Sequence, residues 1–282
     1  MGKIGRGMEL AKLSWAVLMK EKGLMIFPII SGILTMIVAA SFFVPLALWG
    51  VFEDANSLNW WLLIIPIFLF YLVTYFIIIF FNSALVACVM YSFDGGKPTL
   101  SYGIAEARKH MRQVLAWAAV SATVGLVLKM ISQEGGIFGQ IAAMLAGVAW
   151  TIASYFVIPI IVMEGLGPKA ALKRSAGLFK TTWGEAAISN IGIGLIFFAL
   201  CLLGFIPMFL AFYSGSFIIM IGLLAFTLIY WIILGIISSA LTTIVMSALY
   251  RFATTGKTSA NFNVDLLKEP FPQKNNSNWG KI

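Results

Sequence analysis

"FIIMIGLLAFTLIYWIILGIISSALTTIVMSALY", residues 217–250, runs for thirty-four residues without one Asp, Glu, Lys, Arg or His. A helix needs about 20 apolar residues to cross the ~30 Å hydrocarbon layer of a bilayer. This stretch exceeds that length, which predicts a membrane span that tilts or projects beyond the lipid. Five comparable stretches precede it: Leu24 to Val51, Trp60 to Tyr91, Gln113 to Met130, Gly136 to Met163 and Glu185 to Phe212. Of the 282 residues 61% are apolar and 11% charged, where a soluble domain carries roughly a quarter charged residues. The expected fold is therefore all-α, a polytopic membrane bundle of six transmembrane helices. Residues 1–250 would form the membrane domain and 251–282 a cytoplasmic tail.

The first stretch follows basic residues, as a signal peptide would, but it is far longer than the usual ~7–15 residues and should stay as a helix. Prolines 28, 45, 66, 159 and 207 fall within or near span ends, where neighbouring helices can satisfy the carbonyls they free. Cys88 and Cys201 sit at depths too different for a disulfide and read as packed thiols.

Orientation follows from Lys and Arg. Eighteen of the nineteen lie before the first span, between the second and third, between the fourth and fifth, or after the sixth; Lys129 alone lies on the other side. The positive-inside rule then places both termini in the cytoplasm and the protein in the inner membrane of a cell. Trp49, Trp60, Trp61 and Tyr213 would mark the outer interface, and Trp117, Trp183, Tyr91 and Tyr250 the inner one. The net charge of +8 arrives in short clusters between apolar runs, which suits anionic lipid rather than nucleic acid.

A threefold pattern underlies the chain. "GMELAKLSWAVLMKEK", "LSYGIAEARKHMRQVLAW" and "PKAALKRSAGLFKTTW" are basic amphipathic segments, each followed by two spans. In the third, Ala171, Leu172, Ser175, Leu178 and Phe179 share one face. Such helices lie in the headgroup plane, which makes Lys12, Lys20, Arg108, Lys109, Arg112, Lys173, Arg174 and Lys180 candidate contacts for anionic headgroups. "YSFDGGKPT", "VMEGLGPK" and "YRFATTGKT" close the even-numbered spans with helix-stopping Gly and Pro. The pattern predicts three helix-hairpin units with amphipathic helices at the cytoplasmic interface.

Two motifs, "ELAKLSWAVLMKEKGLMIFPIISGI" at residues 9–33 and "ALYRFATTGK" at 248–257, resemble those of an uncharacterised family of six-span integral membrane proteins of bacteria and archaea. That family is similar to the glycerophosphodiester phosphodiesterase membrane-domain group. Neither motif is catalytic, and the phosphodiesterase chemistry of the related proteins resides in a separate soluble domain.

The residues point away from enzyme chemistry. His110 is the single histidine and sits among Lys and Arg; no His, Cys, Asp or Glu cluster has metal-ligand spacing. "DGGKPT", residues 94–99, lacks the downstream aspartates of a phosphotransferase site and reads as a turn. No metal or other cofactor is expected. Gly135, Gly139, Ala143 and Gly147 form a small-residue stripe for close helix packing, within the protomer or between protomers of a homo-oligomer.

No Asp, Glu, Lys or Arg lies deep in a span, which argues against an ion-coupled pump. Polar residues instead gather in the cytoplasmic halves: Asn82, Ser83, Ser154, Asn190, Ser239, Thr243 and Ser247. They admit two readings. One is interhelical hydrogen bonding at about 0.6 kcal/mol per contact; the other is a cavity open to the cytoplasm. The expected function is accordingly a non-enzymatic channel or transporter for a small solute or lipid. An oligomeric scaffold binding anionic lipid is the competing class.

Overall fold

The computed structural model describes residues 3–48 and 60–256, without the side chains of 3–11, 60–63, 181–193 and 195. Every regular element described is helical. In chain order they are α1 (Lys3–Lys20), a 3-10 turn (Lys22–Met25), α2 (Ile26–Leu48), α3 (Trp60–Phe93), α4 (Leu100–Lys109), α5 (Met111–Glu134), α6 (Gly136–Ser154), α7 (Val157–Glu164), α8 (Pro168–Leu203), α9 (Phe205–Tyr213) and α10 (Phe217–Thr255). Six stretches are long and apolar enough to cross a bilayer: Lys22–Leu48, Ile64–Phe93, Met111–Glu134, Gly136–Glu164, Ile196–Tyr213 and Phe217–Thr255. The protein is a polytopic helical membrane bundle. Its last helix runs past the expected domain boundary at Tyr250 to Thr255; the expected tail beyond Gly256 lies outside the described residues.

Prolines stand just after three of the breaks, while Pro45 and Pro66 lie inside α2 and α3. Pro28, Pro159 and Pro207 each occupy the third residue of a helix (α2, α7, α9) that begins just after an interruption. First-turn N–H groups have no partner within their own helix, so a residue without one loses nothing there, while its ring stops the preceding turn from running through. Pro168 similarly opens α8. The break at Tyr155 and Phe156 bares a buried amide, and the Phe156 N–H donates to Ser175 Oγ on α8 at 2.9 Å.

The core lies at one end of the bundle. Residues 83–90 of α3 are buried on every side, and around them pack Val114 and Trp117 of α5, Phe156, Ile160 and Ile161 at α7, and Leu241, Ile244, Val245 and Leu249 of α10. This end also carries the short basic connections, so we refer to it as the charged end. At the other end Phe138, Tyr213 and Ile218 are 86%, 87% and 81% exposed; a surface this apolar and open has lipid as its solvent.

The amphipathic segments use their faces on protein. Ser14, Val17 and Leu18 of α1, and Ala171, Ser175 and Leu178 of α8, are buried, and α1 packs directly against α8. On α4, Gly103 and Ala107 seat against α3 so closely that a Cβ at Gly103 would lie 2.8 Å from the Ala84 carbonyl oxygen and 2.7 Å from Cys88 Sγ. The third segment differs from expectation in a second way. It is not a separate interface helix but the first part of α8, continuous with the fifth span. Trp117 and Tyr250, read from sequence as interface anchors, are 4% exposed and belong to the core.

The three even-span exits close alike. Gly95, Gly165 and Gly256 have φ of +86°, +66° and +65°, a left-handed conformation that costs other residues roughly 1–2 kcal/mol. Gly165 and Gly256 end their helices by donating N–H to Ile161 O and Phe252 O. The hairpin units read in the sequence thus have matching ends.

Candidate functional site

Two cavities flank α3 within its charged-end half, and they share Ile78 and Asn82. These residues are one turn apart and so project from one face of the helix. Asn82 lies eleven residues before the end of α3 at Phe93, hence ~16 Å along the axis from it.

The first cavity, about 360 Å³, lies between α3, α5 and α6 and reaches Ile158 on α7. Tyr75 and Asn82 form one wall, Trp117, Ser121 and Gly125 a second, and Gly147, Trp150, Thr151 and Ser154 the third. Trp117 and Trp150 stack with ring centroids 5.3 Å apart and planes at 16°. Ser154 Oγ donates to Trp150 O at 2.7 Å and Thr151 Oγ1 to Gly147 O at 2.9 Å, so both hydroxyls are served by their own helix. The side chains of Tyr75, Asn82, Trp117, Ser121 and Trp150 have no hydrogen-bond partner among the described residues.

The second cavity, about 440 Å³, lies between α2, α3 and α10 and is walled by Pro28, Ser31, Thr35, Asn82, Gly235 and Ser239 among others. Thr35 Oγ1 is buried there without a partner among the described residues. Among the described residues no Asp, Glu, Lys, Arg or His lines either cavity.

The candidates read from sequence therefore divide. Asn82 lines both cavities, Ser154 the first and Ser239 the second. Ser83, Thr243 and Ser247 are buried in the core and line neither. Their hydroxyls donate back to Ile79 O (2.8 Å), Ser239 O (3.0 Å) and Thr243 O (2.8 Å) of their own helices. The Asn190 side chain lies outside the described residues. Tyr75, Trp117, Thr35 and Trp150 are cavity residues that the sequence did not assign. The signal available for Trp150 was its position near mid-membrane, away from either aromatic belt.

In the small-residue stripe, Gly139 is buried against the Ile131 carbonyl and Gly147 faces Leu128 of α5, with half-buried Ala143 between them. Gly135 caps α5 and starts the same turn. The Gly135–Gly139 end of the stripe packs the α5–α6 hairpin within one protomer, and its Gly147 end borders the first cavity.

At the charged end, Lys12, Lys20, Arg108, Lys109, Arg112, Lys173, Arg174 and Lys180 are all exposed. Lys109 pairs with Glu106 at 2.6 Å, and this hydrogen bond holds its ammonium above the ordinary lysine range. Polar contacts tie the exits together: Arg251 to Asp94 at 2.8 Å, and Glu164 accepting from Tyr250 at 2.9 Å and from Arg174 at 3.4 Å. Among the described residues no group of three His, Cys, Asp or Glu converges.

Compared with known families, residues 62–260 match a family of unknown function (DUF6159), and the chain belongs to that family. No curated protein and no solved structure matches it.

Proposed function

We propose that this protein is a non-enzymatic membrane carrier that admits an amphiphile, a lipid or lipid-like solute, into the cavities meeting at Asn82. One observation carries the reading: a primary amide with no partner among the described residues stands where two uncharged, largely apolar cavities share a wall. An amide left unpaired in an apolar setting is costly, and a ligand with both a polar head and an apolar body supplies what this lining lacks. The basic face recruits anionic lipid at the inner leaflet, and the bias of eighteen Lys and Arg to one supports a cytoplasmic charged end. An aqueous pore along Ser239, Thr243 and Ser247 is disfavoured, because the last two are buried and bonded to their own helix. The scaffold reading loses its sequence signal, since the small-residue stripe is used inside the protomer.

The test is lipid movement in vesicles. Purified protein in proteoliposomes bearing a fluorescent glycosyl diacylglycerol in both leaflets should speed dithionite quenching of the inner pool, and Asn82→Leu should slow it. Rates equal to protein-free vesicles would remove the carrier reading.

A further inference from the structure

We infer that the crevice between α3, α5 and α6 takes an uncharged head bearing hydrogen-bond donors and acceptors, of the class of a diacylglycerol or a neutral glycolipid. The inference rests on the amphiphile reading above and specifies which amphiphiles qualify.

Charge is the first selector. Among the described residues no Asp, Glu, Lys, Arg or His lines the crevice, so an anionic headgroup would enter without a countercharge, at a large desolvation cost. The basic residues that could hold an anion are exposed on α1, α4, α5 and α8 at the charged end. Anionic and neutral lipids thus have separate places on this molecule.

Hydrogen bonding is the second. Two half-buried residues of the same types find protein partners elsewhere in the bundle: Tyr230 OH donates to Leu200 O at 2.7 Å and Trp231 Nε1 to Cys201 O at 3.2 Å. In the crevice, the Tyr75 hydroxyl, the Ser121 hydroxyl, the Asn82 amide and both indole N–H groups have none among the described residues. Tyr75, Asn82 and Trp150 are half-buried and Trp117 and Ser121 buried; polar groups gathered in so apolar a setting favour a partner, and their convergence on one cavity marks a place where a ligand completes the bonding. A glycerol or sugar hydroxyl both donates and accepts, as this mixed set requires. The stacked indoles of Trp117 and Trp150 add a flat apolar wall for the carbon skeleton. About 360 Å³ accommodates a compact head, leaving acyl chains in the surrounding lipid.

Native mass spectrometry of the full chain in micelles, titrated with dioleoylglycerol or with dioleoylphosphatidylglycerol, tests this. Gly147→Leu is the blocking variant. A Cβ there meets nothing closer than Leu128 Cδ1 at 3.9 Å, so the side chain grows into the crevice without displacing backbone. One dioleoylglycerol should bind the native chain, fail to bind Gly147→Leu, and bind Asn82→Leu about three- to tenfold more weakly, the loss of one neutral hydrogen bond. Phosphatidylglycerol adducts should be the same in all three proteins. If phosphatidylglycerol is also lost on blocking, the neutral-head assignment is overturned while the amphiphile crevice stands. If neither lipid responds to Gly147→Leu, both readings fall.

Discussion

Ser175→Ala isolates the bond that holds the broken fourth span. The Ser175 hydroxyl accepts the Phe156 N–H at 2.9 Å, and both residues are 0% exposed. The amide lies at the interruption between α6 and α7, outside the hydrogen-bond ladder of either helix. With the hydroxyl gone, no water reaches the site, and a buried donor left unmade costs about 1–3 kcal/mol. Ser83→Ala and Ser247→Ala are the controls, because their hydroxyls are equally buried. Those hydroxyls donate to carbonyls four residues back, on their own helices. Removing them orphans no amide, and alanine recovers roughly 0.5 kcal/mol of helix propensity. Unfolding in mixed micelles titrated with sodium dodecyl sulfate should show Ser175→Ala destabilised by ~2 kcal/mol and the controls within ~0.5 kcal/mol of the native chain. A Ser175→Ala midpoint matching the controls would refute the role of this bond.

Gly103→Ala should destabilise by ~1–3 kcal/mol in the same assay, since its methyl meets the Ala84 carbonyl at 2.8 Å; Gly23→Ala, with open space around it, is the comparison. A double-mutant cycle on Asp94 and Arg251, 64% and 19% exposed, should give a coupling of at most ~1 kcal/mol that shrinks with salt; a salt-independent value would count against a screened pair. Replacing Lys173, Arg174 and Lys180 with Gln should lower the anionic lipid that co-purifies, each near-surface charge contributing about 1 kcal/mol; unchanged lipid content would dismiss that face as a lipid site. Cysteine at Ser214 should label from outside intact cells while cysteine at Thr255 stays protected; the reverse pattern would invert the proposed orientation.

Much of the architecture was legible because hydropathy is a bulk property of tens of residues, and six spans need nothing finer. The matching exits were visible for a related reason: only glycine adopts positive φ without strain, so Gly95, Gly165 and Gly256 announce their turns in the sequence itself. The same averaging hid the break at Tyr155 and Phe156, which turns on one proline and one distant serine. It also hid the fusion of the third amphipathic segment to the fifth span, because a change from basic to apolar composition leaves the backbone free to continue as helix. The polar set was harder still. Asn82 and Ser247 both read as polar groups in the charged-end half, yet a serine can satisfy itself on the preceding turn, whereas an asparagine amide of four bonding sites cannot easily do so. Which residues face a cavity depends on how α3, α5 and α6 rotate against one another, and no single helix encodes that.

The confinement of the core to one end has a mechanical consequence. Helices fastened together near one leaflet and bounded by lipid near the other can change tilt at their far ends with little disturbance to the packed residues. Bilayers differ in thickness by several ångströms, and a protein fixed along its whole length meets that mismatch with strain at every contact. Here the adjustment falls on Phe138, Tyr213, Ile218 and their neighbours, which have few protein contacts to lose. The same arrangement makes the distal ends of the spans the part of the molecule most responsive to lateral pressure and acyl-chain length, while the Asn82 region remains anchored to the core.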